Sequence, residues 1–114
     1  MCMERVEFTV RGEGASTLPR AFHDIAEDSR ELYDGNGFVV AVTENHYRME
    51  LTEVQATTVL ELIDETTCEV TIIAGGGGSG LTANTSGRES EEARKVRRRL
   101  ETFCEDRDLT VERV

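Results

Sequence analysis

Four short strand-like runs follow one another between positions 37 and 74, three rich in β-branched residues and the second alternating: GFVVAVT (37–43), YRMELTEV (47–54), TTVLELID (57–64) and CEVTIIA (68–74). Only two or three residues separate consecutive runs. Connections that short cannot hold a crossover helix, so neighbouring strands must run antiparallel, as a meander. This feature fixes the core of the fold. A further alternating stretch, RVEFTVRG (5–12), sets Val6, Phe8 and Val10 on one side and Arg5, Glu7, Thr9 and Arg11 on the other, the pattern of a strand with one buried face.

Two segments follow helical spacing instead. From Thr17 to Tyr33, residues Leu18, Ala21, Phe22, Ile25, Ala26 and Leu32 form an apolar stripe, with Ser16 or Thr17 as cap and Pro19 in the first turn. The DGNG at 34–37 then reads as a helix stop. The second helix spans about 87–105, with Ala93, Val96, Leu100, Phe103 and Cys104 as its stripe and a Ser86/Glu89 capping box. LTVERV (109–114) adds a last strand. The expected fold class is therefore α+β: a two-layer domain over 1–114, an antiparallel sheet of about five to six strands with two helices on one face, in the order β-α-β-β-β-β-α-β. A chain of 114 residues suits one such domain. At the level of element order alone it resembles the ribosome-hibernation factors, with an extra strand in the meander and an acidic first helix in place of a basic one.

Charge narrows the setting. Asp and Glu total 23 against 13 Lys and Arg, a net charge of −10, and Lys95 is the only lysine. Such a surface repels itself in dilute buffer and is screened by salt, the composition expected of a protein from a salt-accumulating cell such as a haloarchaeon. No apolar run approaches a membrane span, and the N-terminus shows no signal-peptide pattern, so a cytoplasmic protein with no membrane partner is expected. The cysteines, Cys2, Cys68 and Cys104, are odd in number and lack C-x-x-C spacing. Cys68 and Cys104 fall in apolar patterns and read as small buried hydrophobes.

The run AGGGGSGLTANTSGRE invites comparison with phosphate loops. No Lys-Ser/Thr pair follows the glycines, and the helix begins too late after Gly80 for a dinucleotide fingerprint. A mobile loop, or a strand end that admits another backbone, is the leading reading. Gly75, Gly76, Gly77, Gly78 and Ser79, with Ser86 at the helix start, are kept as a candidate anion or small-ligand site. In EEARKVRRRLE (91–101), Arg94, Lys95, Arg97, Arg98 and Arg99 concentrate positive charge in an otherwise acidic chain. Local pairing with Glu91 and Glu101 accounts for them; a face for RNA or an acidic partner is the alternative. His23 and His46 read as solvated, His46 in a hairpin turn. No residue set has the spacing of a catalytic, metal or cofactor site.

The meander strands carry apolar residues on both sides: Val39 and Ala41 beside Phe38, Val40 and Val42, and Val59 and Ile63 beside Leu60 and Leu62. With both helices on one side, the far side should be polar. Its surplus of apolar residues points to self-association, and the expected function is a non-enzymatic, homodimeric binding or assembly module.

Overall fold

The computed structural model describes residues 3–25, 29–47, 52–78 and 86–113. Strand β1 (Met3–Arg11) leads through a 3-10 turn (Ala15–Thr17) into helix α1 (Leu18–Ile25). Strands β2 (Ser29–Asp34), β3 (Phe38–Tyr47), β4 (Thr52–Asp64) and β5 (Thr67–Gly78) follow, then helix α2 (Ser86–Asp106) and strand β6 (Thr110–Arg113). All six strands form one antiparallel sheet in the spatial order β2-β3-β4-β5-β1-β6. The fold is α+β, with the element order read from the sequence.

One face of the sheet carries the core. Phe8, Val10, Ala41, Ala56, Leu60, Cys68, Val70, Ile72 and Ala74 project from it into a single core with Leu18 and Phe22 of α1 and Ala93, Val96, Leu100 and Cys104 of α2. Helix α2 lies across β5, β1 and β4, while α1 lies on β3 and β4 and meets α2 edge to edge. Small Ala56 and Ala74 are paired across β4 and β5, so the layers can approach closely there.

Two segments differ from the sequence reading, and they offset each other in the element count. The helix expected to reach Tyr33 ends at Ile25, and residues 29–34 become β2, paired with β3 from Ser29↔Glu44 to Asp34↔Val39. The cause is the turn. Asp34, Gly35, Asn36 and Gly37 close a hairpin, with the Gly35 N–H donating to the Phe38 carbonyl at 2.8 Å and Gly37 at φ 86°. Asp-Gly and Asn-Gly are the commonest short hairpin signals, and they act as such here and not as a helix stop. Leu32 thus joins the core from a strand, not from a helix.

The second difference is that 52–64 is one strand, where the sequence suggests a break at 55–56 between two. β3 runs on through Tyr47, which places His46 in the ladder opposite Glu53, not in a turn. Gln55, in the expected gap, faces away from the helices together with Thr57, while Val54, Ala56 and Thr58, which alternate with them, are buried. Strand alternation continues through the apparent interruption.

Candidate functional site

The sheet has a second face, opposite the helices. The register carries rows across it: Tyr33, Val40, Val59, Thr71 and Glu7 in one, Glu31, Val42, Thr57, Ile73 and Arg5 in the next. Val40, Val42, Val59 and Ile73 form a half-buried apolar centre spanning β3, β4 and β5. At its margin Tyr33 is 63% exposed and Ile63, beside the irregularity between Leu62 and Asp64, is 51% exposed. The rings of Tyr33 and Phe38 lie 6.1 Å apart and tilted by 31°, which joins the hairpin end to this centre. Charges frame it: Arg5 pairs with Glu7 on β1, and Arg11 Nε donates to Glu112 Oε2 at 2.9 Å between β1 and β6.

On the helix side, β2 and the start of β3 extend beyond the cover that α1 provides. An α1 of eight residues is about 12 Å long, against roughly 33 Å for the ten residues of β3. The uncovered strip is a groove of about 680 Å³. Leu32, Val39 and Leu62 form its floor and Pro19 a wall, with Arg20 of α1 and Asp34 of β2 on its rim. Both charged residues are exposed, and they make no ion pair with each other among the described residues. Thr17 Oγ1 beside them donates to the Gly14 carbonyl at 2.7 Å and so fixes the turn that leads into α1.

The glycine run lies in the sheet. Gly75 to Gly78 continue β5 in register with Gln55 to Thr52 of β4, so their backbone is extended and not looped. Ser79 lies outside the described residues, and Ser86 opens α2. The run brings no side chain to either face of the sheet at this end.

On α2, the five basic residues do not form one open face. Arg94 and Arg98 are exposed, whereas Lys95, Arg97 and Arg99 are half-buried. The expected pair between Arg97 and Glu101 forms, with Nε to Oε1 at 3.1 Å. Lys95 Nζ stands 4.0 Å from Glu92, a carboxylate only 1% exposed. The sequence reading missed this buried acid. Glu92 lies one turn before Val96 in the same line as Leu100, and that spacing placed it on the covered stripe in spite of its charge. Arg107 sits over the Phe103 ring at 4.1 Å from its centroid, so this cation too lies on an apolar neighbour.

Cys68 and Cys104 are free and buried, as expected. Burial pushes the Cys68 thiol up to about 12, with Cys104 adding to the shift, and burial likewise takes Cys104 to about 11. Both therefore stay protonated and unreactive at neutral pH.

No protein-family model matches the chain. No curated protein matches it. Among solved structures it overlaps with the Zhui aromatase/cyclase from Streptomyces sp. R1128 at 12% identity and a TM-score of 0.30, over 92% of this chain and 86% of that one. An overlap that loose does not define a shared fold. No helix among the described residues is long and apolar enough to cross a membrane.

Proposed function

We propose that this chain is a non-enzymatic binding and assembly module that pairs with a second copy of itself through the outer face of its sheet. The observation that carries the reading is the apolar centre of Val40, Val42, Val59 and Ile73, flanked by Tyr33 and Phe38, on the face opposite the two described helices. Contiguous apolar surface of this kind marks interaction sites. The strands run from four residues in β6 to thirteen in β4; at about 3.3 Å per residue and about 4.8 Å between strands they present roughly 850 Å², comparable to the ~800 Å² each partner contributes to a standard interface. The face can meet a copy of itself about a two-fold axis, apolar centre on apolar centre.

Two protomers of charge −10 repel, so association strengthens as salt screens that repulsion. The competing reading, RNA held by Arg94, Lys95, Arg97, Arg98 and Arg99 of α2, has the opposite sign, because phosphate contacts weaken with salt. The pairing of Arg97 with Glu101 counts against it.

The test is light scattering on the intact chain in low and multi-molar salt, with Val40→Asp and Val59→Asp variants alongside. A dimer that tightens with salt and is lost in both variants, with circular dichroism unchanged, supports the proposal. A monomer at every salt and protein concentration overturns it, as does a dimer indifferent to both substitutions. Binding of a short RNA that disappears in salt and on replacing Arg97, Arg98 and Arg99 by Ala transfers the function to α2.

A further inference from the structure

The groove between α1 and the β2–β3 hairpin lies on the side of the sheet away from the proposed pairing face, so its occupancy does not depend on whether that face pairs. We infer that this groove is a binding site for a small zwitterion with apolar side chains: a short apolar peptide with free ends.

Size comes first. At about 680 Å³ the groove falls within the roughly 300–1,000 Å³ typical of small-molecule pockets. Its floor is Leu32, Val39 and Leu62, all half-buried, with buried Pro19 as a wall. An apolar side chain seated there removes its own surface and theirs from water, at about 25 cal/mol per Å² of apolar area.

Charge then selects the ligand. Among the described residues the rim carries one cation, Arg20, and one anion, Asp34, from different elements, and the two make no ion pair with each other. A guanidinium matches a carboxylate through paired N–H donors, and a carboxylate accepts from an ammonium. A molecule carrying both groups brings each rim residue its counter-ion. A purely anionic amphiphile would meet Asp34 and the −10 net charge of the chain, and a purely cationic one would meet Arg20. A zwitterion is neutral overall and escapes both penalties.

The groove also has a structural origin. Had residues 17–33 formed the single helix that their apolar spacing suggests, that helix would have covered the strip. Ending α1 at Ile25 and turning 29–34 into β2 widens the sheet and shortens its cover together.

Isothermal titration of the full chain with leucyl-leucine, N-acetyl-leucyl-leucine and leucyl-leucine amide tests the assignment, repeated with the surface variants Arg20→Gln and Asp34→Asn. The free dipeptide should bind saturably, and each blocking group should weaken binding by about two- to fivefold, the worth of one exposed ion pair. Arg20→Gln should erase the difference between the free dipeptide and the amide. Asp34→Asn should erase the difference between the free and acetylated forms. Absence of saturable binding by all three probes overturns the inference. So does binding of equal strength by all three, or discrimination that survives in both variants.

Discussion

Gly35 lies beneath the ring of Phe38, whose edge atoms occupy the space a β-carbon on residue 35 would fill. Glycine at this position lets the hairpin between β2 and β3 close with the ring packed directly on its backbone, and that ring forms one margin of the apolar outer face. Gly35→Ala must push the ring aside. We expect a loss of about 1–3 kcal/mol, the usual cost of overpacking, seen as a lower urea midpoint with an unchanged slope. A midpoint equal to that of the parent chain would mean the ring moves freely and the close approach constrains nothing.

A dimer formed through the outer face should make thermal unfolding depend on protein concentration. Mass action stabilises the folded state in proportion to the logarithm of concentration, so the parent melting temperature should rise over a hundredfold concentration range. Val59→Asp should remove that rise and leave a melt that is the same at every concentration.

The two buried thiols give a pH dependence of defined sign. Their folded values, about 12 for Cys68 and about 11 for Cys104, lie above the 9.0 of an unperturbed thiol. Between pH 9 and 12 the unfolded chain releases thiol protons that the folded chain retains, so unfolding is increasingly favoured as pH rises through that window. Below pH 9 the contribution is fully present. Urea titrations at pH 8 and 10 should show the loss, and Cys68→Ala with Cys104→Ala should flatten it. In a Cys2→Ser background a thiol-reactive dye should label neither remaining cysteine at pH 8 until denaturant is added.

Asp64 closes the turn between β4 and β5. Its Oδ1 accepts from the Thr66 N–H at 2.9 Å and from the Thr66 hydroxyl at 3.0 Å. The backbone bond, followed by the hydroxyl bond, holds its carboxyl below the usual 3.8. A carboxylate with a lowered folded value stabilises the protein above its unfolded pKa, and the contribution fades as pH falls from 3.8 through the folded value. Asp64→Ala should reduce stability at pH 7 and lessen the acid sensitivity below pH 4. Equal acid profiles for variant and parent would remove the turn from the account.

The parts legible in the sequence were those in which neighbours along the chain suffice. Val6, Phe8 and Val10 on β1, and Cys68, Val70, Ile72 and Ala74 on β5, read directly as strand faces. Val96, Leu100 and Cys104 read as a helix stripe. The outer apolar face was legible too, as a surplus at Val40, Val42 and Val59. Where one segment suited two structures, local pattern failed. Leu32 continues the spacing of Leu18, Phe22 and Ile25 by accident of position, and Ser29–Asp34 became a strand because β3 was available to pair with it. The Arg20 and Asp34 groove was not legible, since neither residue has a neighbour in sequence that implies the other.

Periodicity and charge alone determined that this chain builds an antiparallel sheet with two helices on one side, an acidic surface and two inert cysteines. These properties follow from each residue's own solvation and from partners a few positions away. The tertiary structure alone decided where α1 stops, that the four glycines extend β5 beside β4, that Glu92 is buried, and that a groove opens between α1 and β2. Each depends on which distant segment competes for a backbone hydrogen bond or for a place in the core, and that competition is resolved only when the whole sheet is assembled.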